Sequence, residues 1–260
     1  SPSIPFTLLC KFIIFFFMNI IKLDAIDSTN SYLKKIILNK DVSDSTIVTA
    51  KFQTKGKGQL GTNWQSEDSK NLIFSIYKKD LEVKVKDQFI ISMIISLALI
   101  KTLKKNNLQN LCIKWPNDIM SDNKKICGIL IENIVKEKHV KHTIIGIGLN
   151  VNQTIFDNLP NASSIKKLTG TNHNKDEILK ELVNNINRCF EMLYSSSSEI
   201  IFKKYEELLY RINKPSTFKN LKGDNFTGFI KGVTKLGKLN VMLEDNKLES
   251  YDLKEISILN

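Results

Sequence analysis

The segment Phe89 to Ile100, FIISMIISLALI, is apolar on every side of a helix and therefore needs protein on every side of it. With 12 residues it cannot cross a bilayer, which takes about 20. A chain carrying such a helix must supply elements to wrap it. Its 260 residues, 42% of them hydrophobic, suffice for one good-sized domain with a small appendage and exclude a disordered tail.

Ile4 to Ile21 is also nearly continuous apolar sequence, interrupted by Lys11 and Asn19. It lacks the length of a clean span and the basic start and small-residue cleavage site of a secretory signal. Residues 1–17 are read as an upstream or non-native extension, with Met18 as the natural start; a short membrane-associating leader is the rival reading. No membrane association is expected of the rest.

Formal net charge is +11, yet only Arg188 and Arg211 are arginines. Base readout and phosphate clamping favour the forked guanidinium, so a lysine excess spread along the chain argues against nucleic acid and leaves an expectation of small anionic ligands. Cys10, Cys112, Cys127 and Cys189 are scattered, with no Cys-x-x-Cys pair or neighbouring histidines at ligand spacing. Neither a metal site nor a disulfide framework is expected, and a reducing cytoplasm fits. His139, His142 and His173 lie in polar surroundings that read as surface turns.

Strand-length apolar or alternating runs occur at Asn19 to Leu23, Thr46 to Ala50, Leu72 to Tyr77, Leu111 to Trp115, Ile126 to Glu132 and Thr143 to Val151. Ser121 to Lys124 should turn between two antiparallel strands. Asp176 to Tyr194 and Glu199 to Ile212 have helical spacing, broken by Ser195 to Ser198. The centre is thus an α+β arrangement, a mixed or antiparallel sheet backed by helices. After Asn213-Lys214-Pro215 short alternating runs are punctuated by Gly223, Gly228, Gly232 and Gly237, as in a small all-β barrel. The predicted division is 18–212 and 213–260.

Chemistry concentrates in four places. Gly56-Lys57-Gly58-Gln59-Leu60-Gly61 fits G-x-G-x-x-G, but no helical pattern follows it, no kinase signatures accompany it, and Thr62 stands where a phosphate loop needs lysine. It is either an ordinary glycine-rich connection or a loop whose amides and Lys57 wrap an anion when ligand orders it. Lys114-Trp115-Pro116-Asn117-Asp118 ends an apolar strand, where a partly desolvated lysine interacts strongly with a carboxylate or phosphate; an exposed lysine on a structural turn is the plain alternative. Gly128, Gly146 and Gly148 interrupt runs otherwise suited to strands, at roughly 0.5–1 kcal/mol each relative to alanine, which suggests close approach of a ligand or of another backbone. Asp27-Ser28-Thr29-Asn30 offers a helix cap at Ser28 or Thr29, and a pair of hydroxyls for a polar ligand.

Together these blocks resemble the biotin protein ligases. The resemblance rests on Asp27-Ser28-Thr29-Asn30, Gln53 to Gly61 with Trp64, Asn71-Leu72, Lys114 to Asp118, Lys125 to Glu132 and Gly146 to Asn152, and spans about residues 20 to 260. It implies a core related to class II aminoacyl-tRNA synthetases with an SH3-like C-terminal barrel. Without the N-terminal helix-turn-helix domain of bifunctional members, the chain resembles the monofunctional type. The implied reaction joins biotin and ATP, its phosphates carrying Mg2+, into biotinyl-5′-adenylate and pyrophosphate. The biotinyl group then passes to a lysine of a biotin carboxyl carrier protein.

By the same resemblance Lys114 and Lys57 offset the repulsion between carboxylate and phosphates. Ser28, Thr29, Asn30, Gln53, Gly56 and Gly58 join Lys114 around biotin, with Gly128, Gly146 and Gly148 leaving room for its bicycle. Lys57, Gln59, Trp64, Asn117 and Asn150 meet ATP or the adenylate. No resident metal and no nucleic acid are implied, and the enzyme is a monomer or weak homodimer. Family members commonly have arginines in the glycine loop where this chain has Lys57, Gln59 and Leu60. Gln59 has no charge to steady the adenylate, so weaker retention is expected unless Lys55 and Lys57 carry the task. A lipoate–protein ligase of the same fold is the alternative; the polar set at Ser28, Thr29 and Gln53 favours biotin. A nucleic-acid-binding protein is disfavoured because Lys219, Lys222, Lys231, Lys235, Lys238 and Lys247 are interleaved with Gly, Leu, Asn and Asp rather than aromatics.

Overall fold

A computed structural model describes residues 19–195 and 197–259; the extension at 1–17, Met18 and Cys10 lie outside the described residues. Along the chain run β1 (Ile20–Ile26), α1 (Thr29–Asn39), β2 (Ile47–Gln53), β3 (Leu72–Lys78), β4 (Val83–Lys84) and α2 (Phe89–Lys104). There follow β5 (Cys112–Lys114), β6 (Asp118–Ser121), β7 (Lys124–Lys136), β8 (His139–Leu149), α3 (Ile165–Thr169), α4 (Lys175–Ser195) and α5 (Ser198–Glu206). The last five strands are β9 (Pro215–Asn220), β10 (Asn225–Val233), β11 (Leu239–Leu243), β12 (Leu248–Tyr251) and β13 (Ile256–Ile258).

The fold is mixed α+β. Its first sheet has the order β1-β2-β3-β8-β7-β6-β5, with β4 beside β8. β1 and β2 are parallel and the other pairs antiparallel. Alternation along the strands sends Ile47, Phe74, Ile76, Ile145 and Ile147 to one face, where α2 lies among them and against α4. Twelve residues of α2 are buried, the all-round enclosure its composition requires. On the other face α1 covers Val48, Tyr77 and Ile144 with Leu33, which is fully buried. Ser28 caps that helix, its hydroxyl accepting from the Ser31 amide.

The second sheet is antiparallel, ordered β12-β11-β10-β9-β13. Gly232, at φ +137°, sits at the shift of register between β10 and β11, where the strand turns.

Two expectations are corrected, and four short elements were not expected. Helical spacing predicts a helix to Ile212, but α5 stops at Glu206. Leu208 to Tyr210 instead pair with Ile113 at the sheet edge (2.8 Å from Ile113 N to Leu208 O and from Tyr210 N to Ile113 O), because burial there uses the same apolar side chains as a helix would. His139 and His142 lie in β8 rather than in turns and are half-buried there. The short strands β4, β6 and β13 and the helix α3 have too few residues to declare a period.

Candidate active site

Beside the first turn of α1 the sheet face is covered by the glycine loop. Two transverse rows of residues form this floor, fixed by strand register. One runs Lys114, Asp118, Gly128, Gly148 and Ile73 across β5, β6, β7, β8 and β3. The next runs Leu130, Gly146, Ser75 and Val48. A cavity of about 470 Å³ stands on the floor, walled by α1 at one end, the glycine loop above and β13 at the far side.

Ser28, Thr29, Asn30, Gln53, Lys57, Gly58, Gln59, Trp64, Lys114, Asn117, Gly128, Gly146 and Gly148 all line this cavity. Gly56 instead borders a second hollow of about 810 Å³ on the other side of the loop. Asn150 lines neither; it is buried, and its amide donates to the Ser163 carbonyl at 2.9 Å. Lys125, Leu253, Ile256, Ser257 and Ile258 also line the main cavity and were not singled out from sequence. Lys125 lies at the start of β7, in a lysine pair next to a turn that reads as solvent-exposed. The barrel residues had no signal, since only tertiary packing brings them there.

At the α1 end buried Thr29, Asn30 and Ser75 and half-buried Gln53 and Glu132 are bonded to one another. Gln53 Oε1 accepts from Thr29 N (2.8 Å) and stands 3.1 Å from Thr29 Oγ1. Ser75 Oγ lies 2.7 Å from Thr29 Oγ1 and 2.6 Å from Asn30 Oδ1. Asn30 Nδ2 donates to Glu132 Oε2 at 2.8 Å.

The opposite end is cationic. Burial pushes the Lys114 ammonium below its ordinary pKa, opposed by the Asp118 carboxylate and reinforced by the like charge of Lys125. Lys114 Nζ also stands 5.9 Å from the centre of the Tyr210 ring. Lys125 pairs with Asp118 at 2.8 Å, and its Nζ lies 5.8 Å from the Trp64 ring. Asn117 is tied to β7, its Nδ2 donating to Ile129 O at 2.8 Å. Trp115 is buried, and its Nε1 donates to the Gly237 carbonyl of the second sheet at 2.9 Å.

The glycine loop is closed on itself: Gly58 N donates to Thr62 O and Trp64 N to Gly56 O, at 2.6 and 3.0 Å. This folds Trp64 down onto the floor. A Cβ on Gly148 would lie 2.3 Å from Trp64 Cε2, and one on Gly128 3.0 Å from Cζ3. One on Gly146 would lie 2.4 Å from Asn30 Oδ1. The bare strand positions are therefore filled by protein, two by the indole and one by a carboxamide. Trp64 Nε1 is buried there without a hydrogen-bond partner.

Among the described residues no three His, Cys, Asp or Glu side chains gather at metal-binding distance. Cys127, beside the floor, is buried and its thiol is pushed up, which leaves it without nucleophilic character. No described helix is long and apolar enough to cross a membrane. A partly desolvated Lys114 beside the Lys125–Asp118 pair at one end, and a hydroxyl and amide set at the other, suit a ligand with an anionic end and a polar, uncharged head.

Residues 23–150 match the biotin/lipoate A/B protein ligase family. The bifunctional ligase/repressor BirA of Escherichia coli strain K12 is 27% identical over 239 residues, 91% of this chain and 73% of that protein. The biotin–[acetyl-CoA-carboxylase] ligase of Mycobacterium tuberculosis is 27% identical over 169 residues, 62% of this chain and 61% of that enzyme, so the match spans about three fifths of its length. The structure superposes on biotin protein ligase from Aquifex aeolicus in complex with biotin and ATP with a TM-score of 0.74 and 26% identity, over 94% of this chain and 100% of that one. Residues 23–150 thus carry a biotin/lipoate A/B protein ligase domain, and the chain is homologous to biotin–protein ligases.

Proposed function

We propose that this chain is an ATP-dependent biotin–protein ligase acting in two steps. A biotin carboxylate oxygen attacks the α-phosphorus of ATP, a P–O bond forms, and pyrophosphate leaves. The ε-amine of a carrier lysine, having lost its proton, then attacks the acyl carbon of the adenylate, and AMP leaves. The carrier is a biotin carboxyl carrier domain, in keeping with a M. tuberculosis relative named as a biotin–[acetyl-CoA-carboxylase] ligase.

One observation carries the reading: a single cavity holds a neutral hydrogen-bonding set at buried Thr29 and half-buried Gln53 and a cationic end at Lys114 and Lys125. The ureido head of biotin fits the first and its carboxylate the second. Bringing that carboxylate onto a phosphate sets two anions together, and partly desolvated ammonium groups offset the repulsion more strongly than exposed ones. Magnesium arriving on the nucleotide neutralises the pyrophosphate as it departs. Lys57 and Gln59 on the glycine loop face the same space and are assigned to the nucleotide, with Asn117 beside them. Trp64 must leave the Gly128–Gly148 floor for a ligand ring to lie there, and it then covers the ring. Closure of that kind protects a mixed anhydride from water.

The test is ATP–pyrophosphate exchange by the purified protein, with biotin and with lipoate in parallel, followed by transfer to a carrier domain. Exchange that depends on biotin and not on lipoate is expected. Exchange with lipoate alone would move the chain to the lipoate branch, and exchange with neither would overturn the reading.

A further inference from the structure

A relay of hydrogen bonds ends at the cavity, and the available donors and acceptors fix its direction. It starts at Glu132 on β7, whose Oε2 accepts from Asn30 Nδ2 at 2.8 Å and whose Oε1 has Lys34 Nζ at 3.6 Å. Asn30 Nδ2 also lies 3.4 Å from the Leu130 carbonyl. A carboxylate and a peptide carbonyl only accept, so the amide nitrogen of Asn30 must face them and Oδ1 must face Ser75. An amide oxygen cannot donate, so the single hydroxyl proton of Ser75 goes to Asn30 across 2.6 Å. Ser75 Oγ is also 2.7 Å from Thr29 Oγ1, and the proton in that contact is therefore the one on Thr29. Gln53 Oε1 has a second lone pair but is the more distant oxygen, 3.1 Å from Thr29 Oγ1 and already accepting from the Thr29 amide, whereas the 2.7 Å contact with Ser75 is left repulsive unless the Thr29 proton lies in it. With its proton turned inward, Thr29 Oγ1 presents lone pairs to the cavity.

We propose that Glu132, Asn30 and Ser75 are positioning residues that hold the Thr29 hydroxyl as a hydrogen-bond acceptor, so that the site selects a ring with an N–H at that point over one offering only acceptors or sulfur. The inference rests on the biotin reading, since a ureido ring carries such N–H groups and a dithiolane has none. Burial makes the relay stringent: Thr29, Asn30 and Ser75 are 3%, 2% and 0% exposed, so water cannot stand in for a missing member. Gly146 belongs to it, because a side chain there would displace the Asn30 carbonyl from Ser75.

The test is calorimetric titration of the full chain with biotin and with the two analogues in which one or other ureido N–H is replaced by ring oxygen. Wild-type protein is expected to prefer biotin over one of the analogues. In Ser75→Ala and Glu132→Ala that preference should fall about tenfold, the scale of one hydrogen bond. Glu132 is only partly buried, so its variant should fold even if Ser75→Ala does not. A variant that weakens biotin and analogue alike, leaving their ratio unchanged, has lost structure rather than polarity and overturns the inference alone. Wild-type protein that does not bind biotin overturns the inference together with the reading beneath it.

Discussion

Gly148→Ala is the sharpest probe of the floor. The new methyl carbon would sit 2.3 Å from Trp64 Cε2, 2.6 Å from Cζ2 and 2.7 Å from Nε1. Ordinary carbon contacts lie near 3.5–4 Å, so the ring must retreat by more than about 1 Å or the strand must bend. Overpacking of this kind costs about 1–3 kcal/mol. Alanine in a strand recovers roughly 0.5–1 kcal/mol of chain entropy relative to glycine, so a net loss of about 1–2 kcal/mol is expected. At roughly 2–4 °C per kcal/mol for a domain of this size, Tm should fall by about 2–8 °C. Gly128→Ala is the internal control: its methyl would meet Cζ3 at 3.0 Å, a few tenths of an ångström of adjustment, and the entropy gain offsets that. Thermal unfolding should rank Gly148→Ala below wild type and leave Gly128→Ala within about 0.5 kcal/mol of it. Tryptophan emission gives an independent readout. Only Trp64 and Trp115 contribute, and Trp115 is held by its bond to Gly237, so a shift in Gly148→Ala reports the Trp64 ring leaving the floor. A Gly148→Ala protein with wild-type Tm and emission would refute the seating of Trp64 on the sheet.

Lys114→Ala should lower biotin-dependent pyrophosphate exchange by about 10²–10³, the scale of removing one preorganised group that meets developing charge; a near-normal rate would remove Lys114 from the mechanism. Burial lowers the Lys114 pKa from its ordinary 10.5, and loss of the proton removes the positive charge. Exchange should therefore decline with rising pH before 10.5 is reached, and the decline should move to higher pH in Lys114→Arg, whose guanidinium stays charged. Trp115→Phe keeps the ring but deprives the Gly237 carbonyl of its donor, so a loss of about 1–3 kcal/mol is expected by denaturant titration. Adding biotin and ATP to the wild-type protein should alter Trp64 emission, and a spectrum unmoved by saturating ligand would contradict displacement of the indole.

The α2 helix declared itself because twelve consecutive residues left no polar side, and the glycines at 128, 146 and 148 declared themselves because they interrupt ideal strands. What fills the space they leave was not legible. Trp64 and Asn30 are 64 and 98 residues from Gly128 and only register and loop closure bring them to the floor. Ser75 was hidden for a related reason: in β3, buried along its whole length, a serine between Phe74 and Ile76 breaks no period that a reader of sequence would notice. Lys125 went unassigned because it stands in a lysine pair beside a turn, where charge usually means solvent. The chain's turn from α5 to the edge of β5 was equally invisible, since Leu208, Leu209 and Tyr210 satisfy a helical stripe and a sheet edge alike.

The bond from Trp115 to Gly237 joins the residue next to Lys114 to a tight bend of the second sheet, and Glu206 Oε1 accepts from Val233 N at 2.9 Å nearby. The two halves of this protein are thus not exchangeable parts. A relative's terminal module grafted on after Asn213 would have to bring a carbonyl and an amide to the same two points, or the lysine strand would lose its brace. Cutting the chain there and mixing the fragments should restore turnover only as far as the pieces find each other again.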